Sequence, residues 1–221
     1  IATIFLVPSM PVKEKLSYGT QLNVLKRKVV WYSILAVTLI NGALFGFFSY
    51  MSDYLKNVTG VSYGVISTML LIYGLANIIG NVIAGKQLAV NPVRSMITIP
   101  FALLTFYICL FVLGEWLAAM TVIILILGIL AGYGQNTMQY MITESAPEAP
   151  DFANGLYLLS ANLGTTIGAA FCGMFITLFD TRYSVFGSLL FLVVSIVFVV
   201  LRIRMIQSRK QAEIEKSIIC N

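Results

Sequence analysis

The sequence predicts an all-α membrane protein with six transmembrane helices. Apolar residues of the set AVILMFWYC make up 59% of the 221 residues and charged residues only 10%, whereas a soluble domain carries about 25% charge. The chain also contains six apolar runs, each near or above the roughly 20 residues that one helix needs to cross the hydrocarbon core. A water-soluble globule of this length could not cover its surface with so few charges.

The apolar runs set the predicted boundaries. Spans are predicted at residues 30–51, 63–85, 95–113, 117–142, 152–179 and 183–203, which together form a bundle over residues 30–205. Residues 1–7 are apolar but too short to span, so we expect them to be the end of a preceding transmembrane helix. Residues 8–29 are predicted to be a cytoplasmic linker and residues 206–221 a cytoplasmic tail.

Lys and Arg residues are distributed unequally between the two sides of the predicted bundle. Of the 14, the linker holds five, the loop after the second span holds Lys86 and Arg94, and the segment from Arg202 onward holds five, while Lys56 and Arg182 lie on the other side. Because cytoplasmic loops carry the excess of Lys and Arg, the linker and the C-terminus are predicted to be cytoplasmic in a multi-pass plasma-membrane protein. The net charge of +5 is therefore interpreted as an orientation signal, not as a nucleic-acid-binding surface.

The titratable residues give no support for an enzyme. The chain has no His, its three Cys lack metal-binding spacing, and its nine acidic residues all lie in loops, in tails or at span ends. Histidine relays and catalytic triads are excluded. We therefore predict no catalytic residue, no cofactor and no metal site.

Side-chain amides are the informative polar residues within the spans. They lie in the first, second, fourth and fifth spans but not in the third or sixth, at Asn41, Asn77, Asn81, Gln135, Asn136, Gln139, Asn154 and Asn162. Two polar helices followed by one apolar helix, repeated twice, predict two inverted three-helix repeats whose third helices face lipid. Each amide either bridges two helices or lines a cavity, and the sequence leaves both roles open.

Glycines in the amide-bearing spans predict close helix packing. Gly42 and Gly46, Gly128 and Gly132, and Gly164 and Gly168 all have the four-residue spacing of the GxxxG motif. Such pairs let two helix backbones approach closely within a membrane.

Three stretches of the chain resemble the C-terminal half of the major facilitator superfamily. They are YMSDYLKNVTGVS (50–62), YGLANIIGNVIAGKQLAVNPVR (73–94) and APEAPDFANGLYLLSANLGTTIGAA (146–170). Within the superfamily they are similar to the drug:proton antiporter branch that includes arabinose-efflux-like permeases. The resemblance implies helices 7 to 12 of a twelve-helix transporter, with the N-terminal six-helix half as partner and with most proton-coupling carboxylates in that other half.

The resemblance also implies site residues. Helices 7, 8, 10 and 11 would line a central cavity, with wall residues Asn41, Phe45, Tyr73, Asn77, Tyr133, Asn136 and Asn162. In the loop after helix 8 the family often has an acidic and basic motif that latches the cytoplasmic side. Here Val90 replaces the acid and Arg94 keeps the charge, so we expect a weak latch. Asp151 is the other latch candidate and could cap the N-terminus of helix 11.

These observations predict a secondary active transporter. The leading hypothesis is proton-coupled efflux of a small organic solute, either a drug or a sugar, across the lipid bilayer by alternating access. Uptake by a symporter of the same fold is an alternative, because the spans do not encode direction. A six-span membrane sensor or scaffold is the other.

Overall fold

The computed structural model describes residues 22–219, without the side chains of residues 209–210 and 212–219. Over this range the chain forms seven α-helices joined by short turns: α1 (Lys28–Phe48), α2 (Met51–Asn57), α3 (Tyr63–Val90), α4 (Pro92–Leu113), α5 (Leu117–Thr143), α6 (Pro150–Leu178) and α7 (Ser184–Ile219). All except the short α2 are long and apolar enough to cross a membrane. The predicted all-α membrane fold is confirmed.

The described residues cover the predicted segments at the two ends of the chain only in part. The predicted helix end at residues 1–7 and most of the predicted linker 8–29 lie outside the described residues. The last turn before α1 is a 3₁₀ helix, Asn23–Lys26, whose Val24 is buried. At the other end, α7 continues as one helix past the predicted end of the bundle at residue 205.

Helix starts follow local sequence signals. Asn91 precedes α4, and its side-chain oxygen accepts a hydrogen bond from the backbone N–H of Arg94 at 3.1 Å. Pro92 and Pro150 occupy the first positions of α4 and α6, where a missing N–H costs nothing. In the turn before α3, Gly60 has a φ of 75°, which favours glycine. The bundle is therefore connected by tight turns.

The helix contacts have the symmetry of two inverted repeats. The helix α1 packs against α6 and α7, α3 packs against α5, and α4 lies between α5 and α7. Exchanging α1, α3 and α4 with α5, α6 and α7 converts the α1–α6 pair into the α5–α3 pair, and the α1–α7 pair into the α5–α4 pair. Since successive spans alternate in direction, both α1–α6 and α3–α5 are parallel pairs. The predicted pair of three-helix repeats is confirmed.

Each parallel pair crosses at small residues. A methyl group added at Gly168 of α6 would overlap the Gly42 carbonyl oxygen of α1, and one at Gly132 of α5 would overlap the Asn77 carbonyl oxygen of α3. On α3, Gly80 meets the α5 backbone in the same way. Neither crossing leaves space for a side chain, so the backbones touch directly.

Arg202 holds together the end of the bundle where Lys28, Lys86 and Arg94 lie, called the basic end below. Only 1% of its surface is exposed. Its guanidinium donates to the hydroxyl of Ser33 in α1 at 2.8 Å and to the carbonyl of Met141 in α5 at 2.9 Å, contacts the sulfur of Met96 in α4, and pairs with Glu144 at 2.8 Å. In the sequence Arg202 is a flanking charge, whereas the fold buries it against the ends of α1, α4 and α5.

A second arginine joins the same helices at the opposite end. Arg182, just before α7, pairs with Glu115, just before α5, at 2.5 Å and donates to the Phe111 carbonyl of α4 at 2.9 Å. The hydroxyl of Tyr54 in α2 donates to the carbonyl of Leu110 at 3.0 Å. Burial raises the pKa of Tyr54 to about 12, while Arg182 lowers it and Glu115 raises it by smaller amounts. Both ends of α4 are thus fixed between α5 and α7.

The outer surfaces of the helices differ in chemistry. Exposed side chains on α4 and α7 are mainly apolar, such as Phe101, Ile108, Leu190 and Val197. The exposed side of α6 combines leucines such as Leu159 and Leu163 with the polar or small residues Asn154, Gly155, Asn162 and Thr166. The faces of α4 and α7 suit lipid, as expected for the third helix of each repeat.

The helix crossing can be tested with a matched pair of variants in α3. Gly80→Val is expected to lower the melting temperature and the yield of folded protein, because the added side chain would overlap the Ile129 carbonyl of α5. Overpacking of this kind typically costs about 1–3 kcal/mol. Gly85→Val is the control, since nothing lies within 4 Å of that position. Thermal unfolding followed by size-exclusion chromatography in detergent measures both, and equal losses would contradict the proposed crossing.

Arg202 can be compared with its exposed neighbour Arg204. Arg202→Met removes the ion-pair partner of Glu144, whose side chain is 34% exposed, and loss of a hydrogen-bonded partner of this kind costs about 1–3 kcal/mol. Arg204→Met changes the same charge in the same helix at an exposed position, so we expect little change in melting temperature. Adding Glu144→Gln to Arg202→Met should recover part of the loss. A melting temperature of Arg202→Met equal to that of Arg204→Met would disprove the structural role of Arg202.

Candidate solute cavity

A cavity of about 250 Å³ lies between α1, α5 and α6. Its lining is neutral and mixes amides, a hydroxyl and aromatic rings: Asn41, Phe45, Gln135, Tyr157, Leu158, Ala161, Asn162 and Thr165. Asn41 and Asn162 lie near the middle of α1 and α6. We call this space the central cavity.

Asn41 connects the central cavity to the α1–α6 crossing. The side chain is 3% exposed, and its amide nitrogen donates to the Ala161 carbonyl at 2.5 Å and to the Thr165 hydroxyl at 2.8 Å. Both hydrogen bonds therefore join α1 to α6. The side-chain oxygen is left as the group that can accept a hydrogen bond from a solute.

The other polar lining residues are less constrained. Asn162 is exposed and donates to the carbonyl of Leu158 in its own helix at 2.8 Å. Among the described residues, neither the Gln135 amide nor the Tyr157 hydroxyl has a protein hydrogen-bond partner. Gln135, Tyr157 and Thr165 were not among the predicted wall residues, although Tyr157, Ala161 and Thr165 follow the four-residue spacing of one helix face. This spacing in the sequence could have identified Tyr157 and Thr165 as wall residues.

Asn77 and Asn136 lie at the α3–α5 crossing instead. The Asn136 amide donates to the side-chain oxygen of Asn81 and to the Gly132 carbonyl. Asn81 in turn donates to the side-chain oxygen of Asn77 at 3.0 Å. Three amides thus form a chain between α3 and α5. Asn136 also lines a second cavity, of about 260 Å³, near the basic end.

The two predicted wall tyrosines point into helix contacts. The Tyr133 hydroxyl bonds to the Ser95 hydroxyl of α4 at 2.7 Å. The Tyr73 ring packs on Phe48 of α1, with ring centres 5.0 Å apart. Neither tyrosine, nor Asn77, lines either of the two cavities. Of the predicted wall, the central cavity therefore brings together Asn41, Phe45 and Asn162.

The latch candidates are separate exposed residues. Arg94 lies in the first turn of α4 and Asp151 in the first turn of α6. Within the part of the chain that the structure describes, neither forms an ion pair. Asp151 makes no capping hydrogen bond either, because α6 already begins at Pro150 and its cap position is Ala149. The expected cap is corrected, although the Asp151 carboxylate still lies near the positive end of the helix dipole.

The chemistry of the central cavity follows from its lining. Amides and a threonine hydroxyl can exchange hydrogen bonds with a polar solute, and the rings of Phe45 and Tyr157 can stack on its apolar face. No carboxylate, Lys or Arg lines the cavity in the described residues. Such a wall suits an uncharged polar solute, since an ion would lose hydration without gaining a counter-charge.

Comparison with known proteins agrees with this architecture. The family model described as the Major Facilitator Superfamily matches residues 2–150 and 34–219. The chain is 30% identical to the uncharacterized MFS-type transporter YtbD of Bacillus subtilis, over 77% of this chain and 46% of that protein. It is 29% identical to the transcription regulatory protein OpdE of Pseudomonas aeruginosa, over 67% of this chain and 38% of that protein.

A probable sugar efflux transporter of Pasteurella multocida is 24% identical, over 86% of this chain and 49% of that protein. The chain thus spans about half the length of the curated relatives that it matches.

The geometry separates a cavity amide from a bridging amide. Asn162→Ala is expected to raise the half-saturating solute concentration about three- to tenfold, as loss of one hydrogen bond worth about 0.5–1.5 kcal/mol would do, with an unchanged melting temperature. Asn81→Ala is the comparison, since it breaks the amide chain between α3 and α5 and should lower the melting temperature. Transport assays and thermal unfolding on both variants measure this. An Asn162→Ala protein that unfolds early but binds solute normally would reverse the assignment.

Proposed function

The chain belongs to the major facilitator superfamily, and from this premise we propose that it is half of a proton-coupled efflux transporter for a small, neutral, hydroxylated solute of the sugar class. Members of the superfamily are membrane transporters and not enzymes, as the sequence analysis predicted. The observation that carries the proposal is the neutral polar wall of the central cavity.

The proposed partner is an N-terminal six-helix half of the same transporter. The central cavity is walled on one side by α1, α5 and α6. The exposed amides of α6, Asn154 and Asn162, would be costly against lipid. A second half facing them would close the cavity and shield these groups. The length of the curated relatives, about twice that of this chain, supports the same arrangement.

The wall favours a sugar over a cationic drug. Hydroxyl groups of a sugar can donate to the side-chain oxygens of Asn41, Gln135 and Asn162, while its C–H face can stack on Tyr157. A cationic drug would need an acidic partner, and the described lining has none. Several relatives carry the name of probable sugar efflux transporter, which supports this choice.

Proton coupling is proposed to reside outside these spans. Amides and hydroxyls do not change charge near neutral pH, so the central cavity cannot take up a proton by itself. We place the titrating carboxylates in the other half. The basic end is proposed to face the cytoplasm of the plasma membrane, because it holds the excess of Lys and Arg.

Inside-out vesicles containing the full-length transporter test the proposed function. An acidic interior should drive accumulation of radiolabelled lactose or arabinose, and a protonophore should abolish it. Gln135→Ala should raise the half-saturating sugar concentration about three- to tenfold, because it removes a hydrogen-bonding group from the wall.

Other outcomes would contradict the proposal in recognisable ways. Gradient-driven accumulation of a lipophilic cation but of no sugar would replace the sugar by a drug. Proton-driven sugar entry in right-side-out vesicles would indicate uptake. Absence of gradient-dependent flux for every sugar and drug in a broad panel would overturn transport.

A further inference from the structure

The accessible side of α5 changes character along its length. Between Leu117 and Ile129 its accessible residues are mainly apolar, for example Val122 and Leu125. From residue 135 to residue 143 the accessible positions are all polar: Gln135, Asn136, Gln139, Tyr140 and Thr143. Eight residues of helix correspond to about 12 Å. A continuous polar strip therefore runs from the central cavity to the basic end.

The second cavity lies on this strip. It has a volume of about 260 Å³ and is lined by Asn136, Gln139, Tyr140 and Thr143 of α5 and by Leu88 of α3. Leu88 lies in the last turn of α3 and Thr143 is the last residue of α5. The second cavity is therefore at the basic end, whereas the central cavity meets α5 at Gln135, about one helical turn deeper than Gln139.

A hydrogen bond between α5 and α6 lies beside the second cavity. The Gln139 amide of α5 donates to the side-chain oxygen of Asn154 in α6 at 3.0 Å, and both residues are exposed. Gln139 lines the second cavity, and Gln135, one helical turn away, lines the central cavity. A solute passing between the cavities would move along these two glutamines.

The polar groups of the second cavity are mostly hydrogen-bond acceptors. The amide nitrogens of Asn136 and Gln139 already donate to protein oxygens, and the Thr143 hydroxyl donates to the carbonyls of Gln139 and Tyr140. Their side-chain oxygens are left to accept hydrogen bonds from a ligand. Hydroxyl groups of a solute supply such donors, and the Tyr140 ring provides a flat apolar surface.

The lining of the second cavity is uncharged. No charged side chain lines it in the described part of the chain. Glu144, next to Thr143, pairs with Arg202 at 2.8 Å. A neutral solute would bind here without an ionic partner, and an ion would find none.

We propose that the second cavity is a separate binding site for a neutral polyhydroxylated solute, occupied before the solute moves along α5 to the central cavity. This site deepens the proposed function and rests on it for the identity of the solute.

Site-specific protection tests the second site in the full-length transporter. Thr143→Cys is made in a background whose native cysteines are replaced by alanine, and it is labelled with a membrane-impermeant maleimide in inside-out vesicles. Saturating lactose should slow labelling about threefold or more, as expected when bound sugar occupies most of the sites. Adding Tyr140→Ala should remove this protection, and adding Asn162→Ala, which weakens the central cavity, should leave it in place. Arg204→Cys, exposed near the basic end and lining neither cavity, is the control that lactose should not protect.

Three results would overturn the second site. Labelling that lactose does not slow means that no sugar binds there. Protection that disappears with Asn162→Ala means that it reports closure triggered from the central cavity. A Thr143→Cys that never reacts means that the other half of the transporter fills the space.

The failure of the second site and that of transport can be told apart. Protection of Thr143→Cys by lactose without any sugar flux would support the second site and contradict the proposed transport. Sugar flux without protection would contradict the second site alone.

Discussion

Two backbone-to-backbone helix crossings determine where the polar side chains of this bundle can reach. At Gly42 and Gly168, and again at Gly132, no side chain separates the helices. An amide next to a crossing is therefore close enough to bond to the neighbouring backbone or amide, as Asn41 and Asn136 do. Their N–H groups hold the helices together while their oxygens remain available. Bridging two helices and lining a cavity are thus two functions of one side chain.

The ion-paired residues, unlike the amides near the crossings, lie at the ends of the bundle. Glu115 and Glu144 flank α5, and Arg182 and Arg202 flank the apolar part of α7, so that each ion pair spans α4. The helices α4 and α7 are the lipid-facing third helices of the two repeats. The two ion pairs therefore hold the lipid-facing side of the bundle together at both ends. The cavity lining that α1, α5 and α6 form between these ends is uncharged. In the proposed transporter, a bundle fixed in this way would move as one body.

Much of the fold is readable from the sequence, because a membrane span needs length and apolarity. The predicted span 117–142 differs from α5 by one residue, and the glycine spacing predicted both crossings. Rotation about the helix axis is harder to predict. Since α5 is apolar over most of its circumference, its pattern could not show that Tyr133 faces α4 and Gln135 the cavity. Arg202 stands at the edge of an apolar run, and its burial depends on partners that only the fold brings together.

A neutral wall limits how solute and proton can be coupled in the proposed transporter. Since Asn41, Gln135 and Asn162 do not titrate, protonation elsewhere can affect the solute only by changing the population of the conformations that bind it. The change of conformation reaches the central cavity only if the described half moves as one rigid body. The arginine pairs at both ends of α4 and the direct backbone contacts of α1 with α6 provide that rigidity. In this mechanism the described half recognises the solute through its central cavity. Because this half is rigid, protonation in the other half can change the conformation of that cavity.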